Sequence, residues 1–151
     1  TQTSKHPVLL PRHYAYVVEC HPAKNFIVRR GPKDSIGASS ETFVHDAAYQ
    51  ASPRIKSVVH VHSRILWAMA RALHLPITNP GVLYGTPEMG AEFSRCIGAS
   101  PEGIVAMGGH EDGILCYGRS VSRATITLLG WWFKALWFGA LRANKGPMGT
   151  P

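Results

Sequence analysis

The sequence predicts an α/β fold, and three observations carry that prediction. Short runs of branched and aromatic residues alternate with stretches of helical periodicity along the whole chain. Gly, Pro and Asn residues punctuate the junctions between them. The 151 residues are 45% hydrophobic and 17% charged, which suits one globular domain with a sizeable core rather than a disordered chain.

Each element follows from local chemistry. Residues 14–19 and 26–30 have strand character, and His21-Pro22-Ala23-Lys24-Asn25 between them predicts a hairpin. A loop over 31–38, with Gly31, Pro32, Asp34 and Gly37, leads to Ser39 and Ser40. These serines cap a helix expected over 41–50, whose apolar stripe is Phe43, Val44, Ala47 and Ala48 and which Pro53 bounds. The branched run 55–62 reads as a buried strand. Ser63 caps the next helix, 64–75, which Pro76 ends. Asn79, Pro80 and Gly81 mark a loop, and Thr86-Pro87-Glu88 opens a helix reaching Ile97, with Gly98 as its stop. Strands at 104–107 and 114–117 flank Gly108-Gly109-His110-Glu111-Asp112-Gly113, and a long helix runs from Ser120 to about Arg142. The stretch 143–151 reads as a flexible tail.

Composition narrows the function. Three cysteines (Cys20, Cys96, Cys116) form no CxxC pair, which argues against a disulfide framework or a cysteine–zinc site and fits a reducing, cytoplasmic setting. No secretory signal is visible, and the start at Thr1 suits a trimmed or processed chain. The net charge of +7 comes from basic residues dispersed in ones and twos. That pattern fits a small anionic substrate better than a nucleic-acid backbone, so no nucleic-acid partner is expected. The segment 124–141 is apolar on nearly every side and carries Trp131, Trp132, Phe133, Trp137 and Phe138. Its length is close to the ~20 residues of a membrane span, but Lys134 sits at its centre and no second span accompanies it. A buried or subunit-interface helix is the favoured expectation, with homo-oligomerisation and no membrane partner.

The most telling local feature is His60-Val61-His62 at the end of the 55–62 strand. Side chains at i and i+2 share a face, so both imidazoles point into one pocket. Neutral imidazole is the commonest zinc ligand. On spacing alone, two hydrogen-bonded strand histidines explain the pair as well. A catalytic zinc takes three protein ligands and keeps a position open. His110, in a glycine-rich turn, is the best third ligand, and His45 is a weaker contender. Glu41, at the head of a helix, supplies an acid or base, or simply compensates the helix dipole.

Six segments in the family's order carry a resemblance. Ser39-Ser40-Glu41-Thr42-Phe43-Val44-His45 is followed by Ala48-Tyr49-Gln50-Ala51-Ser52-Pro53 and Val58-Val59-His60-Val61-His62-Ser63. Tyr84-Gly85-Thr86-Pro87-Glu88-Met89 comes next, then Met107-Gly108-Gly109-His110 and Gly113-Ile114-Leu115-Cys116-Tyr117-Gly118-Arg119-Ser120. Together, over roughly 14–142, they resemble the class II aldolase/adducin family, the group of L-fuculose-phosphate aldolase and L-ribulose-phosphate 4-epimerase. The resemblance implies a three-layer α/β/α fold with a central mixed, mostly antiparallel sheet. It implies that His60, His62 and His110 bind a divalent metal, zinc before manganese, iron or cobalt. It further implies that Glu41 is the general acid/base, that Ser39 and Ser40 help bind substrate, and that the protein is a homotetramer with its site at a subunit interface.

The chain departs from the family pattern in three places. The N-terminal helix and the Gly-Asn-x-Ser phosphate loop have no counterpart before Tyr14. The stretch between Pro76 and Tyr84 is short and lacks the family's proton-donating tyrosine. The family's His-Gly becomes His110-Glu111-Asp112-Gly113, whose two acids could be ligands, a second acid/base or a solvated turn. The expected function is a metal-dependent lyase of aldolase, decarboxylase or dehydratase type. Its substrate would be a small hydroxy-carbonyl, sugar phosphate or carboxylate, processed through a metal-stabilised enediolate. The alternative is an adducin-like, non-catalytic assembly domain.

Overall fold

A computed structural model of the protein describes residues 8–31 and 36–143. The expected loop at 31–38 falls partly, and the expected tail at 143–151 almost wholly, outside the described residues. The first strands, β1 (Tyr16–His21) and β2 (Phe26–Arg30), pair antiparallel as a hairpin, from Tyr16 opposite Arg30 to His21 opposite Phe26. The connection is a 3-10 turn, Pro22–Lys24, ended by Asn25 in the left-handed conformation that asparagine tolerates. β1 begins two residues later than expected because the Tyr14 amide donates back to Pro11 O in the preceding turn.

α1 (Thr42–Ala51) and β3 (Ser57–His62) follow. α2 (Arg64–Met69) is capped by Ser63, whose hydroxyl accepts from the Leu66 amide. It stops well short of the expected Leu75. The chain tightens after Met69, His74 takes a left-handed φ of 54°, and the Leu75 amide donates to Ala70 O at 2.9 Å. This six-to-one closure is a helix-ending motif usually built on glycine, which is why the sequence hid it. α3 (Pro87–Cys96) starts as expected, with Thr86 Oγ1 accepting from the Met89 amide. It ends at an extended Ile97, and Gly98 is not left-handed, so it does not act as the expected stop. β4 (Gly103–Ala106), β5 (Gly113–Gly118) and α4 (Val121–Ala143) complete the described chain.

β5 is the central strand of a three-stranded sheet in the order β3-β5-β4, and both ladders are antiparallel. Strand alternation assigns its side chains to two cores. Leu115 and Tyr117 of β5, with Val105 of β4 and Val58 of β3, pack under Val44, Ala48, Met89 and Phe93 of α1 and α3. Ile114, Cys116, Ile104 and Ala106 face the other way, onto Leu66 and Ala70 of α2 and Ala135 of α4. The result is the expected helix–sheet–helix layering in an α/β fold. The mixed character is slight: the parallel component among the described residues is one bridge, Ile77 to Ala106. The β1–β2 hairpin forms a sheet of its own.

α4 presents one buried stripe and one exposed apolar face. Leu128, Trp131 and Ala135 recur at helical spacing and lie on the second core, and Ala124 one turn earlier is buried as well. The rest of the helix is not buried: Phe133 is 61% and Trp137 67% exposed, and Ile126, Leu129 and Leu141 also face outward. It is long and apolar enough to cross a membrane by length and composition. Lys134 turns back over the Trp131 ring at 4.4 Å. Cys20, Cys96 and Cys116 are free thiols.

Candidate metal centre

The site lies at the end of the sheet, on the α1/α3 face. His60 and His62 share that face of β3 because they are two residues apart. The register sets His62 opposite Gly113, a residue with no side chain to compete for the space. A Cβ at Gly113 would sit 3.1 Å from His110 Cγ and Nδ1, so glycine lets the third histidine fold back over the strand end. The 107–113 turn is pinned on every side. Met107 N–H donates to Gly113 O at 2.9 Å and Gly113 N–H to His110 O at 2.9 Å. The Trp67 indole donates to Met107 O at 2.9 Å, and Gly108 N–H to Thr78 Oγ1 at 2.9 Å.

The three imidazoles converge. Their ring centroids lie 5.1 Å (His60–His62), 5.2 Å (His60–His110) and 4.7 Å (His62–His110) apart. One potential ligand atom from each lies within 4.8 Å of the others. Nitrogen ligands at ~2.1 Å from a shared cation stand at most ~4.2 Å apart, so small side-chain rotations suffice to close the set. Two of the nitrogens, His60 Nε2 and His110 Nδ1, are buried and have no hydrogen-bond partner. Buried polar atoms are nearly always paired, so this is a cost the fold carries. Burial, with the neighbouring His110 and His62, pushes the His60 pKa down to about 4. Burial and then His62 lower that of His110 as well. Both are therefore neutral near pH 7 and present lone pairs, the form that binds a cation. The residues fit a divalent metal.

Glu41 stands at the N-cap of α1, but its side chain makes no capping bond. Ser39 Oγ accepts the Glu41 amide at 3.2 Å, and Glu41 O accepts from Val44 and His45. The carboxylate is 3% exposed, with neither oxygen in a hydrogen bond, and Oε1 lies 3.9 Å from His110 Nδ1. That separation is too long for a hydrogen bond, and a neutral His110 offers no charge to pair with. Desolvation accordingly raises the Glu41 pKa, and the nearby Gly85 amide offsets only part of the rise. Helix-dipole compensation alone does not account for such a group.

The other expected residues divide. Ser39 and Ser40 form the loop into α1, and Ser40 Cβ packs where a side chain at Gly85 would be, 2.9 Å from its ideal Cβ position. Gly85 has φ +72°, a conformation few other residues adopt. His45, whose pKa burial lowers to about 4, lies on α1 against Tyr49 and outside the three-histidine cluster. Asp112 pairs with Arg64 at 3.3 Å and Glu111 is exposed, so the two extra acids form a solvated turn. One neighbour was not anticipated. The Tyr84 ring stacks on His110, with centroids 4.2 Å apart and planes 20° from parallel. Its signal was the Tyr-Gly-Thr string, in which a left-handed glycine sets the angle of the residue before the helix cap.

A family model described as the class II aldolase and adducin N-terminal domain matches residues 15–130. No curated protein gives a significant match.

Proposed function

Since this chain belongs to the class II aldolase and adducin family, we propose that it is a divalent-metal-dependent lyase acting on a small hydroxy-carbonyl, sugar-phosphate or carboxylate substrate. One observation carries the reading. Three neutral imidazoles converge beside a buried carboxylate that has no structural bond to make. A scaffold gains nothing from that arrangement, because unpaired buried polar atoms only destabilise it.

In this reading His60, His62 and His110 hold the cation, zinc before manganese, iron or cobalt. The metal supplies Lewis acidity toward a carbonyl and its adjacent hydroxyl. Glu41 takes and returns the substrate proton at a carboxylate oxygen. Burial raises its pKa in the metal-free protein, which makes it a stronger base than a carboxylate in water. Ser39, whose Oγ already accepts the Glu41 amide, ties the position of the acid to the substrate-binding loop it shares with Ser40. The outward apolar face of α4 serves as a subunit interface of a homo-oligomer, a tetramer being the family's usual form, and the protein works in the cytoplasm.

The test is elemental analysis of the purified protein, followed by α-C–H exchange of dihydroxyacetone and its phosphate in D₂O. Stoichiometric metal, with exchange that disappears in Glu41→Gln while metal stays bound, is expected. Absence of stoichiometric metal would sink the lyase in favour of an adducin-like assembly role. Undiminished exchange in Glu41→Gln would remove Glu41 from the chemistry.

A further inference from the structure

Tyr84 is half open to solvent, 52% exposed, yet its ring lies flat on a histidine of the site. Its backbone is held on both sides. Thr86 Oγ1 donates to Leu83 O at 2.8 Å, and the left-handed Gly85 is pressed against Ser40. The loop therefore fixes where the Tyr84 side chain leaves the backbone, and the ring's contact is the stack on His110. On the other partner, the His110 side chain makes no hydrogen bond among the described residues, and its Nδ1 is buried without a partner. A metal-binding histidine is ordinarily oriented by a hydrogen bond from its second nitrogen to a carboxylate, carbonyl or water. Neither His110 nitrogen has such a partner among the described residues, whichever of the two binds the cation: Nδ1 is buried and 3.9 Å from the Glu41 carboxylate, and nothing bonds Nε2.

Resting on the reading that the three histidines hold a cation, we propose that Tyr84 is the positioning residue for His110. Face-to-face contact with the phenol ring sets the imidazole plane, and so replaces the hydrogen bond that would otherwise orient the ligand. Gly113 supplies the space, since a Cβ there would stand 3.1 Å from His110 Cγ and Nδ1. Between them, one aromatic face and one glycine define a slot for the imidazole. The effect belongs to the ring and not to the hydroxyl, so phenylalanine should substitute for tyrosine.

Two measurements test this on the whole chain. The first is titration of metal-free protein with Co²⁺, for Tyr84→Phe and Tyr84→Leu beside the wild type. The second is NMR of the His110 ring in the same metal-free proteins, which reads the stacking shift without any cation. The Leu variant should bind Co²⁺ at least about 10-fold more weakly, the usual penalty for losing an orienting partner. The Phe variant should stay within about 2-fold of wild type, and the His110 ring shift should vanish only in the Leu protein. Thermal unfolding shows whether the Leu protein is folded; if it is not, the Phe variant decides, because a large loss there overturns the ring argument. Equal Co²⁺ affinity in folded Leu and wild-type proteins overturns the role of Tyr84 and leaves the metal site standing. Failure of the wild type to take up Co²⁺, with the stacking shift intact, overturns the metal reading and this inference together.

Discussion

Glu41→Gln should stabilise the metal-free protein at neutral pH. The carboxylate is 3% exposed, neither oxygen has a hydrogen bond, and the nearest imidazole is neutral and 3.9 Å distant. An unsatisfied buried polar group costs ~1–3 kcal/mol, and more when charged. Glutamine keeps the shape and loses the charge, but its amide is itself incompletely paired, so a net gain of about 1–2 kcal/mol is expected. For a chain of this size that is a rise in Tm of roughly 2–8 °C. The sign with pH follows from linkage. Glu41 has a folded-state pKa raised above its ordinary value, so its contribution is fully present below ~4.3 and is lost as pH rises through the folded value. The gap between wild type and variant should therefore be small at pH 4 and open toward pH 8. Thermal and urea unfolding in EDTA across that range measure it. A Gln variant less stable than wild type at pH 7–8 would refute the reasoning, because it would mean the Gly85 amide stabilises the carboxylate by more than desolvation penalises it.

Three further outcomes follow from the same geometry. His62→Ala should strip the cation during dialysis while His45→Ala keeps it, read by elemental analysis; equal loss in both would redraw the ligand set. His45 and His60 have pKa values depressed to about 4, so metal-free stability should be complete above ~6.5 and fall as pH drops from there toward 4. One such group contributes on the order of 3 kcal/mol, and a urea midpoint that stays flat over that window would contradict the burial argument. Replacing Phe133 and Trp137 by Asp should lower the particle mass seen by light scattering; a wild type already monomeric in detergent-free buffer would dismiss α4 as a subunit interface.

The α/β class, the element order and most boundaries were legible because each depends on local chemistry. Pro53 before β3, Ser63 and Thr86 as caps, and the short apolar runs of β4 and β5 all act within a few residues of themselves. The early end of α2 was not legible, since a histidine took the left-handed position that glycine usually marks. The exposure of α4 was hidden for a different reason. Apolar composition on all sides specifies a need for cover, but not what supplies it.

The site shows the same division. By itself the sequence determined that His60 and His62 share a face, because strand period is a property of the backbone. It also determined that Glu41 heads a helix, and it offered His110 as a candidate on residue type and turn context. Only the tertiary structure decided that β3 and β5 pair in the register that opposes His62 to Gly113, closing the three rings to within about 5 Å of one another. It alone showed that the Glu41 carboxylate is buried without a partner, and that Tyr84 covers His110. Burial, pairing and stacking are relations between segments far apart in the chain, and no local pattern of residues encodes their distances.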